Sequence, residues 1–255
     1  MKQSLTIGWL YPELMSTYGD RGNIIVLQKR CEWRGIKTEA LKLDLHFNPN
    51  QLTQCDLLFM GGAQDRQQQI VSEDLLKKRD LLKNKIEDGT PGLYICGAYQ
   101  FLGKYYKEAD GTVIPGLDIL DLYTENPGLN HTRLIGNISI RRHPELVSGS
   151  QVLVGFENHG GRTYLGKNIK PLGKVIKGFG NNGTDQTEGA VYKNSFGSYL
   201  HGPILPKNPE FADLLIKLAL EKKYGIFPTI NLSPLNDSLE TQARNLIANR
   251  LDIDL

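Results

Sequence analysis

The residue whose type and position best suit it to chemistry is Cys96, which follows an apolar run and precedes a glycine. Residues 93–95 have the composition of a short buried strand, and a helical pattern begins just after Gly97. A thiol at such a strand-to-helix turn lies beside the unpaired N–H groups of a helix N-terminus, which favour a thiolate and can hold an oxyanion. The alternative is that Cys96 is a small buried hydrophobic residue, as free cysteines often are.

A cysteine nucleophile needs a base, and the sequence offers five histidines: His46, His131, His143, His159 and His201. His46 and His143 lie in polar loop sequence, which predicts surface positions. His159 and His201 each end a predicted strand, and active sites of parallel sheets collect at the carboxyl ends of strands. The residues alone do not decide between these two.

The first hundred residues alternate between strand and helix patterns. Apolar runs predict strands at 5–10, 56–60 and 93–95, and Ala40 and Leu41 between polar neighbours predict another at 38–43. Helical spacing predicts helices at 21–34 and 65–87. This alternation predicts a mostly parallel central sheet flanked by helices, which places the protein in the α/β class.

The chain from about residue 110 to residue 200 has a different pattern. Strand-like runs at 133–140, 152–156, 174–179, 189–192 and 196–200 are separated by turns rich in Gly and Asn. No helical pattern interrupts them, so they predict an antiparallel strand section packed against the parallel part.

Two helical patterns follow this section, at residues 208–224 and beyond Pro234. We therefore predict one domain over residues 1–230 and a C-terminal helical extension over 231–255. The apolar stripe of the extension is compatible with packing on the body of the protein or on a partner.

Composition narrows the functional classes. The 255 residues include 30 basic and 28 acidic side chains, without a cluster of Lys and Arg, so nothing predicts binding to nucleic acid or insertion into a membrane. No apolar run approaches the roughly 18 residues of a membrane-spanning helix. Cys31, Cys55 and Cys96 are widely spaced and no signal peptide is evident, which predicts reduced thiols and a cytoplasmic location.

Several short segments, taken together and in order, resemble a known family. They are Cys-Gly-Ala-Tyr-Gln-Phe-Leu-Gly at 96–103, Glu-Asn-His-Gly-Gly-Arg-Thr at 157–163 and Tyr-Leu-His-Gly at 199–202. This set resembles class I glutamine amidotransferases of the cobyric acid synthase type. Tyr-Gly-Asp-Arg-Gly-Asn at 18–23 and Gly-Phe-Gly-Asn-Asn-Gly at 178–183 look like one branch, the glutaminase subunit of the lipid II isoglutaminyl synthase. The resemblance runs from about residue 5 to residue 222.

The resemblance implies the class I glutamine amidotransferase fold for residues 1–230 and assigns the catalytic residues. Cys96 would attack the side-chain amide of glutamine, forming a γ-glutamyl thioester and releasing ammonia. His201 would be the general base and later the acid. The backbone N–H groups of Gly62 and Gly97 would form the oxyanion hole.

The same resemblance implies substrate-binding roles for Arg133 and Gln100. A surface charge on an exposed strand would explain Arg133 as well, and helix capping would explain Gln100. His159 becomes a structural or substrate-proximal residue instead of the base, with Glu157 on the opposite face of its strand.

Two positions depart from the family pattern. Many class I relatives carry a glutamate two residues after the histidine, where this chain has Pro203. Our hypothesis is that another carboxylate, such as one from a partner subunit, fixes the imidazole of His201. At Ala98 the related sequences commonly have a second glycine, and we expect the added methyl group to adjust the turn only slightly.

The chemistry of the ammonia acceptor is not expected in this chain. The sequence has neither a Walker-type phosphate loop nor an acid cluster with metal-ligand spacing, so we expect no cofactor and no metal. The resemblance implies a heterodimer with an ATP-dependent Mur-ligase-like synthetase subunit that amidates the D-glutamate of lipid II in peptidoglycan synthesis. The alternatives are a different acceptor, such as a corrin precursor, or a catalytically silent partner-binding scaffold.

Overall fold

The structure is a computed structural model that describes residues 3–142, 152–225 and 230–255. His143, predicted to be a surface residue, lies outside these ranges. None of the helices in the described ranges has the length and apolar character needed to cross a membrane.

Fourteen strands and six α-helices are described. The strands are β1 Ser4–Leu10, β2 Lys37–Leu43, β3 Leu57–Met60, β4 Gly92–Ile95, β5 Tyr105–Lys107, β6 Val113–Pro115, β7 Leu122–Glu125, β8 Leu134–Arg142, β9 Val152–His159, β10 Arg162–Leu165, β11 Gly173–Lys177, β12 Thr187–Glu188, β13 Ala190–Tyr192 and β14 Ser195–Ser198. The helices are α1 Arg21–Glu32, α2 Asp65–Leu76, α3 Arg79–Glu87, α4 Gly97–Phe101, α5 Pro209–Tyr224 and α6 Ser238–Leu251.

The central sheet has six strands in the order β13-β14-β4-β3-β1-β2, parallel except for the β13–β14 pair. Every residue of β3 and β4 is buried, because helices cover both faces of these central strands. The prediction of a mostly parallel sheet flanked by helices, in the α/β class, is confirmed. The order of the strands brings the ends of β4 and β14 side by side.

The antiparallel section is also confirmed, as the sheet β12-β11-β8-β9. A second small sheet, β10-β7-β5-β6, was not predicted, since its strands have only three or four residues. The assignment of residues 189–192 and 196–200 to the antiparallel section is wrong, because β13 and β14 both lie in the central sheet. Strand β14 joins the central sheet and pairs in parallel with β4.

The predicted helix at 65–87 is two helices, α2 and α3, because the chain leaves helical geometry at Lys78, where φ is −110° and ψ is 5°. The C-terminal helix α6 packs on the body of the protein. Arg244 of α6 pairs with Glu210 of α5 at 3.0 Å, and Asp237, just before α6, pairs with the buried Arg30 of α1 at 2.5 Å.

Candidate active site

Cys96 lies between β4 and α4 in a backbone conformation that non-glycine residues rarely adopt. Its φ is 53° and its ψ is −108°, and such strained residues cluster at functional sites. Two hydrogen bonds stabilise this conformation. The Cys96 N–H donates to Ser198 O at 2.8 Å, and the Cys96 carbonyl accepts from the Gln100 N–H at 3.0 Å. At Gly97 a Cβ atom would lie 2.7 Å from Gln68 Nε2, so a larger residue at this position would have to displace the Gln68 side chain.

The parallel pairing of β14 with β4 places His201 beside Cys96. Ser198 pairs with Ile95, so the two strands end at the same edge of the sheet. Beyond the strand end, His201 exchanges backbone hydrogen bonds with Phe156, at 2.7 and 3.2 Å. The imidazole is fully buried and hydrogen-bonds to the Cys96 side chain. Residues predicted as nucleophile and base are therefore in contact.

A carboxylate of this chain holds the other side of the imidazole. Asp20 Oδ1 lies 3.3 Å from His201 Nδ1, and Asp20 Oδ2 accepts the Gly62 N–H at 2.8 Å. Asp20 is completely buried. The sequence motifs did not identify this residue as the acid, although it lies in the segment 18–23. Within the described residues the histidine has its carboxylate in cis, so the hypothesis of one from a partner is not needed.

Other residues of the same segment hold the loop that follows His201. A Cβ atom at Gly22 would overlap the ring of Pro203, so the close approach of α1 to this loop needs glycine. The side-chain oxygen of Asn23 accepts the Leu205 N–H at 3.0 Å. The proline found where relatives carry glutamate is thus a packing residue against α1.

The surroundings of His201 favour the imidazolium. Burial alone would lower its pKa, but the negative charge of Cys96 and hydrogen bonds to Asp20 and Cys96 raise the pKa of His201 to about 10. A charged His201 beside a thiolate is the ion pair that an activated cysteine needs.

His159, the competing histidine, is buried 3.6 Å from Tyr199 between ring centroids, with the rings 5° from parallel. Its Nδ1 lies 2.7 Å from Gly161 O, which makes Nδ1 the donor. Burial lowers the pKa of His159, although Glu157 opposes this. His159 is therefore a neutral histidine beside the cavity.

The prediction that Glu157 lies on the opposite face of β9 from His159 is wrong. Residues two apart on a strand share a face, and Glu157 Oε2 is 3.8 Å from His159 Nε2. The carboxylate is fully buried and accepts the N–H groups of Phe179 at 2.7 Å and Gly180 at 2.9 Å. The Glu157 carboxylate therefore binds the backbone of the segment 178–183.

A cavity of about 420 Å³ opens beside Cys96, and Gln100 and Arg133 line it. Arg133 donates from Nε to Asn158 Oδ1 at 2.9 Å and from Nη2 to Asn158 O at 3.0 Å. Gln100 is buried and donates from Nε2 to Tyr199 Oη at 3.1 Å. Both residues predicted to bind substrate thus lie at the cavity, and their binding roles stay predictions.

The residues predicted for the oxyanion hole flank the thiol. Gly97 is the first residue of α4, where a helix leaves its N–H without an intrahelical partner. A Cβ atom at Gly62 would lie 3.1 Å from Cys96 Cβ and 2.9 Å from His201 Cε1. The Gly62 N–H, however, is the group bound by Asp20.

Residues 6–209 match the model of a protein family described as the CobB/CobQ-like glutamine amidotransferase domain. The chain belongs to this family. It is therefore an enzyme of the glutamine-hydrolysing amidotransferase class, as the resemblance implied.

Individual relatives agree with this assignment. The chain is 43% identical to the lipid II isoglutaminyl synthase (glutamine-hydrolyzing) subunit GatD of Staphylococcus aureus, covering 96% of each chain. It is 45% identical to GatD of Streptococcus pneumoniae, over 87% of this chain and 82% of that protein. A cobyric acid synthase of Listeria innocua is 27% identical over 76% of this chain and only 37% of its own length.

A solved structure supports the fold. A crystal structure of a glutamine amidotransferase superposes with a TM-score of 0.58 at 16% identity, covering 84% of this chain and 98% of the other.

Proposed function

We propose that this chain hydrolyses L-glutamine at Cys96 and supplies the ammonia to a synthetase subunit that amidates lipid II. The observation that carries the proposal is the contact of Cys96 with His201, whose imidazole is held by Asp20. The two GatD relatives support the acceptor, because their names give a glutamine-hydrolysing subunit of lipid II isoglutaminyl synthase.

In the first half-reaction the Cys96 thiolate attacks the carboxamide carbon of glutamine. The C–S bond forms as the carbonyl oxygen becomes an oxyanion. The C–N bond then breaks, and the His201 imidazolium gives its proton to the leaving nitrogen, which departs as ammonia. The product is a γ-glutamyl thioester and a neutral His201.

In the second half-reaction water attacks the thioester. His201 takes one proton from the water, the hydroxyl oxygen becomes bonded to the acyl carbon, and the C–S bond breaks. Glutamate leaves, and the thiolate and imidazolium are restored.

Asp20 acts as a positioning residue for His201. A carboxylate bound to Nδ1 keeps the proton there, turns Nε2 toward the thiol and stabilises the imidazolium, as in other nucleophile–histidine–acid sites. Since Asp20 belongs to this chain, assembly of the site does not depend on an acid from a partner.

The finer parts of the proposal concern the acceptor and the partner. By the resemblance, the partner is an ATP-dependent Mur-ligase-like subunit in the cytoplasm, and the acceptor is the D-glutamate carboxyl of lipid II. A corrin precursor is the second candidate acceptor, supported by the cobyric acid synthase relative. The higher identity and near-complete mutual coverage of the GatD relatives favour lipid II.

The test is glutamate release from L-glutamine, measured for the wild type and for Cys96→Ala, each with and without the Mur-ligase-like subunit. We expect release that requires Cys96, and amidated lipid II only when the subunit, ATP and lipid II are all present. Absence of Cys96-dependent release in every combination would contradict the proposal and favour a silent scaffold. Release without lipid II amidation would point to another acceptor.

A further inference from the structure

The end of strand β14 contacts both residues of the proposed catalytic pair. The carbonyl of Ser198, the last residue of the strand, accepts the Cys96 N–H at 2.8 Å. His201 follows three residues later and hydrogen-bonds to the Cys96 side chain. The conformation of residues 198–201 therefore sets how closely the base approaches the nucleophile.

The N–H groups of Tyr199 and Leu200 bind side chains instead of a neighbouring strand. Pairing of β14 with β4 ends at Ser198, and the backbone bonds to Phe156 begin at His201. A buried N–H without an acceptor is costly, so the two groups in between need acceptors from elsewhere.

Glu188, on β12 of the antiparallel section, supplies the acceptor. Its Oε1 accepts the Tyr199 N–H at 2.6 Å and the Ser198 hydroxyl at 3.2 Å. The oxygen of that hydroxyl in turn accepts the Leu200 N–H at 3.0 Å. One carboxyl group thus fixes the residues that lead from the end of β14 to His201.

The backbone beside Glu188 is itself held in place. Gly189 has a φ of 65°, and a Cβ atom there would overlap the carbonyl oxygen of Gly197 on β14. Asn181 Oδ1 accepts the Gly189 N–H at 2.9 Å, and Asn181 Nδ2 donates to Gly189 O at 3.0 Å. The same Nδ2 donates to Thr187 Oγ1 at 3.1 Å. Residues on both sides of Glu188 are therefore fixed.

The hydrogen bonds of Glu188 do not need a negative charge. The side chain is completely buried, and burial raises the pKa of Glu188 to about 8, although the Tyr199 N–H and the Ser198 hydroxyl act to lower it. At neutral pH the group is therefore largely an uncharged carboxyl that still offers an acceptor oxygen. A glutamine at this position would offer the same kind of oxygen.

We infer that Glu188 is a positioning residue for the catalytic pair. Its carboxyl group fixes the chain between Ser198 and His201 and so sets the approach of the imidazole to the thiol. It acts through these hydrogen bonds and not through its charge. This inference rests on the proposed glutaminase reaction.

The test compares Glu188→Gln, which keeps an acceptor oxygen, with Glu188→Leu, which removes it. The full chain with its synthetase partner is assayed for kcat with glutamine. Because a misplacement of about 1 Å can cost about 10²-fold in rate, we expect a fall of about that size for Glu188→Leu. For Glu188→Gln we expect a fall of less than about fivefold, since the N–H groups stay bound.

The titration of His201, followed by NMR in the same proteins, separates positioning from general damage. Against the effect of burial, Cys96 and Asp20 raise the pKa of His201 to about 10. If the imidazole moves away from the thiol in Glu188→Leu, this pKa should fall toward the ordinary value of about 6.5. Glu188→Gln should keep the wild-type pKa.

Ser198→Ala decides the question if Glu188→Leu does not fold. It removes the hydroxyl between Glu188 and the Leu200 N–H, and we expect kcat to fall by about five- to tenfold together with the pKa of His201. Ser195→Ala is the matched control, because it removes a buried hydroxyl at the other end of β14. Equal effects of the two serine substitutions would overturn the inference.

A fall in kcat without a change in the pKa of His201, or wild-type values of both in folded Glu188→Leu, would also overturn it while leaving the glutaminase reaction intact. An equal fall of the pKa in Glu188→Gln and Glu188→Leu would show that the charge acts, which contradicts the inference. If the wild type showed no Cys96-dependent hydrolysis, the proposed function would fail, and the titration would still decide whether Glu188 positions the imidazole.

Discussion

The two buried histidines near the cavity, His201 and His159, have similar surroundings, yet their pKa values are shifted in opposite directions. Each follows or ends a strand and lies near a buried carboxylate, Asp20 at 3.3 Å and Glu157 at 3.8 Å. The pKa of His201 is raised to about 10, whereas burial lowers the pKa of His159.

The difference comes from what else each carboxylate and each imidazole contacts. Asp20 keeps one oxygen for His201, and the imidazole also hydrogen-bonds to the Cys96 side chain. Both oxygens of Glu157 accept backbone N–H groups, and His159 directs its Nδ1 to a carbonyl and its ring to Tyr199. A nearby carboxylate therefore does not by itself make a histidine a base.

The largest expected effect is the contrast between His201→Asn and His159→Asn in glutamine hydrolysis. Loss of the general base and acid should lower kcat by about 10³-fold for His201→Asn. His159→Asn should stay within about tenfold, since that imidazole neither contacts the thiol nor carries charge. Steady-state kinetics and circular dichroism of each variant check this. Similar losses in two folded variants would break the comparison.

The next effect concerns Asp20→Asn against Glu157→Gln. The asparagine side chain can present its amide N–H to Nδ1 and so favour the wrong tautomer, and we expect kcat to fall by about 10²-fold or more. Because Asp20 raises the pKa of His201, the alkaline limb of the pH profile of kcat should move to lower pH. Glu157→Gln, which replaces a carboxylate bound to backbone groups, is the control and should leave that limb in place.

Glu157→Gln, the control for activity, should instead lower the stability of the protein. The glutamine side chain of Glu157→Gln would turn an N–H₂ group toward one of the two amides that Glu157 now accepts, leaving a buried donor without an acceptor. We expect this substitution to lower the free energy of unfolding by about 1–3 kcal/mol. Urea denaturation measures this. A wild-type midpoint would show that the segment 178–183 does not depend on the carboxylate.

The smallest effect is the pH dependence of stability. Since the pKa of His201 is raised on folding, its contribution is complete below about pH 6.5 and is lost as the pH rises toward 10. The pKa of His159 is lowered, so its contribution is present above about pH 6.5 and is lost as the pH falls below it.

The free energy of unfolding of the wild type minus that of His201→Asn should therefore decrease from about pH 6.5 to about pH 10. The corresponding difference for His159→Asn should decrease as the pH falls below about 6.5. Denaturation series at matched ionic strength measure both. Slopes of the same sign would contradict the assigned charge states.

The sequence predicted the features that depend on neighbouring residues. The apolar run that ends at Cys96 and Gly97 indicated the strand-to-helix turn, and continuous apolar runs indicated β3 and β4. Strand β14 was assigned to the wrong sheet, since its short run looks the same whether its partner is adjacent or, like β4, about a hundred residues away.

The acid of the site was missed for a similar reason. Asp20 lies 181 residues from His201 in sequence, and only the fold brings the two together. Asp20 lies in the segment 18–23, which resembles one branch of the family. Without the structure, that resemblance indicated membership of the branch and did not identify Asp20 as the acid. The position two residues after His201, where class I relatives carry the acid, holds Pro203, which packs on Gly22.

The most direct test of the two charge states is a pH titration of the histidine side chains by NMR, with resonances assigned through His201→Asn and His159→Asn. We expect His201 to keep both ring protons at neutral pH and to titrate toward about 10, while His159 stays neutral with its proton on Nδ1 across the folded range. A neutral His201 at neutral pH, or a His159 that becomes charged before His201 loses its proton, would contradict the assignment of His201 as the base.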